Sequence, residues 1–265
     1  MKSIKSPASN QEWQAWGKLD PLYGVATLPK RAKNETNPWT DESFYPLGAA
    51  DWKRFHPKWR QYGLKSGACI EIGCGAGRMT VHMASDFDVV HAVDISAEMI
   101  EYARRRAPAN VVFHVGSGTG IPLPADSADG VFSTHVLQHL SSPAAASAYF
   151  GEMYRVLKPG GSIMIHLPVI AWPGGSLMRI HHFIHRAKCL LDGGRVALRR
   201  YMFRRALIRT PPMQVIWYEV SWVYHTLERL GFGDVEIRTL FGGSKMAVQH
   251  PFVFARKAGA TSDAP

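Results

Sequence analysis

An α/β doubly wound fold with a mostly parallel sheet is what this 265-residue sequence predicts, and three observations predict it. Short apolar runs alternate with helical segments from residue 68 onward. Most of those runs are apolar at successive positions, as strands covered on both faces are. Two more strands near the end flank a short glycine-bearing connection and read as a hairpin, so the last strand should run against its neighbour.

The elements follow in order. Residues 1–67 are polar and basic but hold WQAWGKLDPLYGV (13–25) and FYPLG (44–48). Tryptophan and tyrosine in such a segment suggest a cap that buries them over the mouth of a site, with Tyr23 or Tyr45 in reach of a ligand. ACIEI (68–72) is the first strand and RMTVHMASD (78–86) a helix after a glycine loop. VVHAVD (89–94) is the second strand, and Ser96 is placed to cap a helix running toward Arg106. VVFHV (111–115) and GVFST (130–134) are the third and fourth strands. A helix over 144–157 stops at Lys158-Pro159-Gly160-Gly161, where proline cannot continue it and glycine turns the chain into the fifth strand, SIMIHL (162–167). A helix over 221–230, closed by Gly231, precedes the hairpin strands DVEIRTLF (234–241) and VQHPFVFAR (248–256), joined by GGSKMA. The implied organisation is a cap (1–67), a core (68–170), an insertion (171–218), a helix and hairpin completing the core (219–258) and a frayed tail (259–265).

Composition bounds the class. A 46% hydrophobic share suits a chain that buries a sizeable core. No run approaches the ~20 apolar residues of a membrane span, and MKSIKSPASNQEW lacks the apolar stretch of a secretory signal, so a soluble cytoplasmic protein is expected. Cys69, Cys74 and Cys189 fit neither a disulfide framework nor a zinc site and are read as free thiols. The formal charge of +10 is uneven: residues 171–218 carry 9 basic side chains against 1 acidic, whereas residues 68–170 are mildly acidic. In the basic insertion Ile180, Phe183, Ile184, Ala187 and Leu191 recur at helical spacing, with His181, His182, His185, Arg186 and Lys188 opposite them. A second helical piece over 195–209 is not cleanly amphipathic.

The glycine loop, GCGAG at 73–77, carries the chemistry. A dinucleotide site asks for G-x-G-x-x-G, because the third glycine lets helix and strand pack closely and the helix start faces a pyrophosphate. Here Arg78 stands at the third position, and Glu71 precedes the loop, where a carboxylate repels phosphates and suits a cation.

EIGCGAGR (71–78), DISAEMI (94–100), DGVFSTHVLQHL (129–140) and RVLKPGG (155–161), in this order and spacing, resemble the motifs of class I S-adenosylmethionine-dependent methyltransferases over residues 68–167. The resemblance implies a seven-stranded Rossmann-like sheet with an antiparallel last strand, S-adenosyl-L-methionine as cofactor, and methyl transfer to a small-molecule acceptor at oxygen, nitrogen or carbon. It implies cofactor contacts from Glu71, Gly73, Cys74, Gly75 and Gly77, from Asp94 to the ribose, and from Ile95 and Met99 near the adenine. Ser133 at the fourth strand completes the set with Ser117 and Gly118, which stand where many members carry an acidic residue. The family commonly places an acceptor-recognising insertion after the fifth strand, so the basic segment is expected to be a substrate lid. An anionic or amphiphilic acceptor fits it, as does peripheral contact with a membrane surface. Nucleic acid is disfavoured, because no RNA-binding module accompanies Phe183, Tyr201 and Phe203.

A base is needed only where the acceptor carries a proton, and His135, His139 and His166, expected near the carboxyl ends of the fourth and fifth strands, are the candidates. His135 and His139 share a helical face, but no carboxylate joins them, and no metal is expected. Three alternatives stay open: an RNA methyltransferase, a nicotinamide-dependent oxidoreductase, and a non-catalytic S-adenosylmethionine-binding protein.

Overall fold

The computed structural model describes residues 8–170, 215–241 and 249–259. The helical pieces expected over 180–191 and 195–209, Cys189, the connection 242–247 and the tail from residue 260 lie outside the described residues.

Seven strands form one sheet in the order β3-β2-β1-β4-β5-β9-β8. They are β1 Ala68–Ile72, β2 Val89–Asp94, β3 Val111–Val115, β4 Ala128–Ser133, β5 Leu157–His166, β8 Phe232–Phe241 and β9 Gln249–Lys257. The contacts among β1 to β5 are parallel, and β9 pairs antiparallel with both β5 and β8, so it alone is reversed. A two-residue pair, β6 Val169–Ile170 with β7 Tyr218–Glu219, lies outside this sheet. The chain winds outward from β1 to β3 and then returns to start β4 on the other side of β1. This leaves a crevice beyond the carboxyl ends of β1 and β4, the usual ligand position in such sheets.

Period-two alternation splits the apolar residues between two cores. Ile70, Ile72, Val131, Ile163, Ile165, Val253 and Ala255 face one side, against α6 (Pro143–Val156) and α7 (Val220–Arg229). Cys69, Phe132, Met164, Phe252 and Phe254 face the other, against Trp52, Phe55 and Trp59 of α3 (Asp41–Gln61). Part of the expected cap is therefore a layer of the sheet. Trp59 is fully buried and donates from Nε1 to Ser162 Oγ at 2.9 Å. Its ring lies where a Cβ on Gly130 would be, 2.9 Å away, so the glycine of β4 makes room for the indole. Acidic Asp41 and Glu42 in the first turn of α3 and Lys58 and Arg60 in its last complement the helix dipole.

The mouth of the crevice is covered by α1 (Ala8–Leu19) and α2 (Pro21–Val25), whose Trp16 and Leu22 pack with Trp39, Phe44 and Met99. Helix α1 crosses α5 (Ala97–Arg104) at a close approach: a Cβ on Gly17 would sit 2.2 Å from Ser96 Oγ. That hydroxyl caps α5, accepting from Met99 N–H at 3.3 Å as its sequence position predicts.

Three boundaries differ from expectation. The helix after the glycine loop is only Thr80–Met83, α4: Gly77, at φ 81°, cannot join it, and Asn110 Nδ2 donates to the carbonyls of Ala84 and Phe87 where it ends. The Lys-Pro-Gly-Gly stretch ends α6 but β5 has already begun at Leu157. The register against β4 jumps from Ala128↔Leu157 to Gly130↔Ser162, so residues 158–161 bulge out and Lys158 Nζ reaches Asp129 Oδ2 at 2.8 Å. Strand β8 starts early, at Phe232, by way of a second irregularity at Asp234, whose φ is 51°.

Because Trp59 bridges α3 to the sheet, Trp59→Ala should cost about 3–5 kcal/mol of stability, read as a lowered urea midpoint at unchanged slope.

Candidate active site

A cavity of about 680 Å³ occupies the crevice between β1 and β4. One end is walled by Gly73, Gly75, Asp94, Ile95, Met99, Gly116 and Gly118, the other by Leu47, Asp51, Arg78, His135, Gln138, His139 and His250, and Trp13, Val25, Thr27 and Leu28 close it from the mouth.

The glycine loop is shaped by backbone geometry. Gly73, Gly75 and Gly77 all have positive φ, at 74°, 52° and 81°. Space is as tight as torsion: a Cβ on Gly73 would lie 2.1 Å from Val136, and one on Gly75 would lie 2.6 Å from Val25. The N–H groups of Gly73 and Cys74 both donate to Val93 O, which ties the loop to β2. On the outer side α3 holds it. Tyr45 Oη donates to Ala76 O at 2.9 Å, and Arg78 Nη1 meets Asp51 Oδ2 at 2.5 Å. Gly48 lets the helix approach, since a Cβ there would strike the carbonyl oxygen of Arg78.

Asp94 sits at the end of β2, its Oδ2 accepting from Gly75 N–H at 2.8 Å and its Oδ1 from Ser96 N–H at 2.9 Å. Burial raises its carboxyl above the usual range, while the N–H donors of Ser96, Gly75 and Ile95 oppose the rise. No cation pairs with it among the described residues. Ile95 and Met99 line the wall beside it, as does Gly118 at φ 89°. Ser117 is turned away: its hydroxyl accepts from Gly120 N–H and its carbonyl from Asn10 Nδ2 at 3.1 Å.

The other predicted residues lie behind the wall. Glu71 is buried and accepts from Thr80 Oγ1 at 2.6 Å; desolvation lifts its pKa to about 7 against the pull of Thr80 and Arg78. Cys74 packs with Ala92 and Ile100, and burial pushes its thiol well up. Gly77 backs onto Ala103. Ser133 donates to Ile72 O at 2.9 Å, pinning the end of β4 to that of β1. Tyr23 packs on Trp16, and Tyr45 faces the loop's far side, so neither lines the cavity.

Of the three candidate bases, His135 and His139 line the cavity. His139 stands edge-on to Trp13 at 4.9 Å, and its Nε2 lies 3.0 Å from Gln138 Nε2. His135 follows β4 with a φ of 57°, in the left-handed region, and that places its ring against His166 at a centroid distance of 4.3 Å. His166, at the end of β5, is enclosed, and burial, then His250 and His139, push its pKa down to about 3. His250 of β9 completes the group, 5.1 Å from His135 and 5.4 Å from His166 between centroids. Sequence reading missed His250, Asn10 and Gln138 as wall residues. Only the antiparallel register of β9, which sets His166 opposite Phe252, brings His250 to this end of the sheet.

The family model described as a methyltransferase domain matches residues 70–165. The chain is 32% identical over 127 residues to a demethylmenaquinone methyltransferase of Symbiobacterium thermophilum, covering 43% of this chain and 49% of that one. It is 33% identical over 100 residues to phosphoethanolamine N-methyltransferase 3 of Arabidopsis thaliana, covering 36% and 20%. The matched stretch thus spans about half of the first relative and a fifth of the second. Among solved structures, a methyltransferase of Methanosarcina mazei described as SAM-dependent superposes with a TM-score of 0.53 at 20% identity, over 77% of this chain and 98% of that one. The [4+2]-cyclase SpnF superposes with 0.56 at 16%, over 96% and 98%. Likeness at this identity is one of fold.

Glu71 yields a pH prediction. Its folded pKa of about 7 lies above the ordinary 4.5, so the folded state keeps the proton longer, and stability falls as pH rises through that window and stays reduced above it. Glu71→Gln keeps an acceptor for Thr80 and removes the charge. The variant should be more stable than wild type by on the order of 2 kcal/mol at pH 8, allowing for the unpartnered amide N–H, and less stable by on the order of 1 kcal/mol near pH 4, where only that amide cost remains; chemical denaturation at both pH values measures the difference.

Proposed function

We propose, from the premise that this chain belongs to the class I S-adenosylmethionine-dependent methyltransferase family, that it transfers a methyl group to a lipophilic small-molecule acceptor. The observation that carries this reading is a cavity whose cofactor end offers Asp94, a carboxylate without a cation partner among the described residues, beside three left-handed glycines. The residues fit S-adenosylmethionine: Gly73 and Gly75 present bare backbone to the cavity, and Asp94 keeps lone pairs beyond those taken by Gly75 and Ser96. Asp94 would accept from the ribose hydroxyls, Ile95 and Met99 would flank the adenine, and Gly73 and Gly75 would back the amino acid portion. When bound, this cofactor supplies an electrophilic methyl group on a cationic sulfur.

The chain's own part is to orient the acceptor and exclude water. Trp13, Val25, Leu28 and Leu47 offer an apolar seat. Holding the reactants aligned can supply ~7–11 kcal/mol of the barrier reduction. The one guanidinium in the described wall, Arg78, is occupied by Asp51, which leaves a phosphate or carboxylate on the acceptor without a ready partner there and favours a lipophilic acceptor. Where the acceptor is a hydroxyl or amine, His139 takes its proton, positioned by Trp13 and Gln138. The names of the two relatives cover a demethylmenaquinone and a phosphoethanolamine acceptor, and a lipophilic acceptor stands nearer the first.

Two measurements test the reading. Calorimetric titration with S-adenosylhomocysteine should show binding by wild type and a loss of about 10- to 100-fold in Asp94→Ala, since charge-assisted hydrogen bonds are removed; equal affinity refutes the ribose role. Incubation with methyl-labelled cofactor and a fractionated metabolite extract should put label in the solvent-extractable lipophilic fraction, and His139→Ala should lower kcat by about 100-fold or more with the S-adenosylhomocysteine affinity preserved.

A further inference from the structure

His135, His166 and His250 come from three different elements, the turn after β4, the end of β5 and the start of β9, yet one ring nitrogen of each lies within 4.8 Å of the other two. No hydrogen bond joins the three rings among the described residues, so packing, not a donor and acceptor chain, holds them together. His166 is 95% buried by its exposure of 5%, and its Nδ1 has no partner among the described residues. A buried imidazole nitrogen left unpaired forfeits a hydrogen bond worth about 1–3 kcal/mol in water. His135 reaches the group only through a left-handed backbone that side chains disfavour. Two costs thus converge on one point at the end of the cavity.

We infer that His135, His166 and His250 form a binding site for a divalent transition-metal ion of the zinc type, with its open position toward the acceptor end of the cavity. Three neutral imidazoles suit such an ion, whereas calcium and magnesium call for oxygen ligands. Tetrahedral coordination at Zn–N of about 2.0–2.1 Å sets nitrogens about 3.4 Å apart, so the rings need to close by no more than about 1.5 Å. A neutral imidazole offers an ion the lone pair of one ring nitrogen. Asp51 and Arg78, which face His250 from α3 and the glycine loop, neutralise each other and leave the site without a net repelling charge. Three protein ligands and a free fourth position are the pattern of catalytic rather than structural zinc. An ion there would take an acceptor hydroxyl oxygen as fourth ligand and favour the alkoxide or phenolate, while His139, outside the trio, would receive the proton. The site stands on the geometry of the trio, and only its role toward the acceptor rests on the methyl-transfer reading.

The test uses the full chain stripped with a chelator and titrated with Co²⁺ and Zn²⁺. Wild type should bind one equivalent of Co²⁺ with intense visible bands of a four- or five-coordinate nitrogen site, displaced by Zn²⁺. His250→Ala and His166→Ala should lose that spectrum and at least about 100-fold in Zn²⁺ affinity, while His114→Ala, which alters a histidine on β3, keeps both. His250 is only half-buried, so its variant carries the result if His166→Ala fails to fold; thermal unfolding reports which has occurred. Absence of the Co²⁺ bands in wild type, or their survival in His250→Ala, overturns the site. Titration of the stripped protein with S-adenosylhomocysteine separates the two proposals: binding without a metal site leaves the methyl-transfer reading standing alone, and a metal site without that binding does the reverse.

Discussion

The glycine loop between β1 and α4 is the constraint on which the rest of the site depends. It must leave the sheet, reverse, and return as a helix within a few residues, while α3 presses on it from outside. Three positive φ angles make the reversal, and Gly48 on α3 provides the clearance that lets Tyr45 and Asp51 reach Ala76 and Arg78. Once the loop is pinned, Asp94 is fixed with it, because one of its oxygens is committed to Gly75 and the other to Ser96. The α1 to α5 crossing at Gly17 then sets where Met99 and the mouth aromatics stand. Placement of the cofactor end is therefore a backbone property, with few side chains free to vary it.

The same dependence explains what sequence reading could reach. The inner strands and their winding were legible because both faces of the sheet are buried there and the runs are correspondingly apolar. Boundaries set by a single backbone event were not: the shortness of α4 follows from Gly77 and Asn110, and the early start of β5 from a bulge that no periodicity announces. Among site residues, those tied to the loop motif, Gly73, Gly75, Asp94 and Met99, stand on the cavity wall. Glu71, Cys74 and Ser133 turn inward to hold the loop and strand ends instead. A motif fixes where the backbone goes, and alternation along a strand then decides whether a side chain faces ligand or core. Trp59 shows the converse: the first segment reads as a cap from its aromatics, but one helix of it became a layer of the sheet.

His250 lay beyond sequence reading for a different reason. It sits 84 residues after His166, and only the reversal of β9 brings the two into one corner. Long-range pairing of this kind leaves no local trace.

Charge organises the cavity from end to end. The cofactor end keeps an unpaired carboxylate in Asp94, with a second, Glu71, buried just behind and held partly protonated by desolvation. At the other end Arg78 and Asp51 cancel. The same end offers imidazole lone pairs, on rings whose pKa burial lowers. Carboxylates at the first end suit a cationic ligand. A dinucleotide would meet a mismatch, with phosphates against Asp94 and Glu71 and the one guanidinium of the described wall already taken. In a low-dielectric crevice such mismatches are felt strongly, so the distribution of charge, more than the glycines it surrounds, favours a cationic ligand over a phosphate-bearing one.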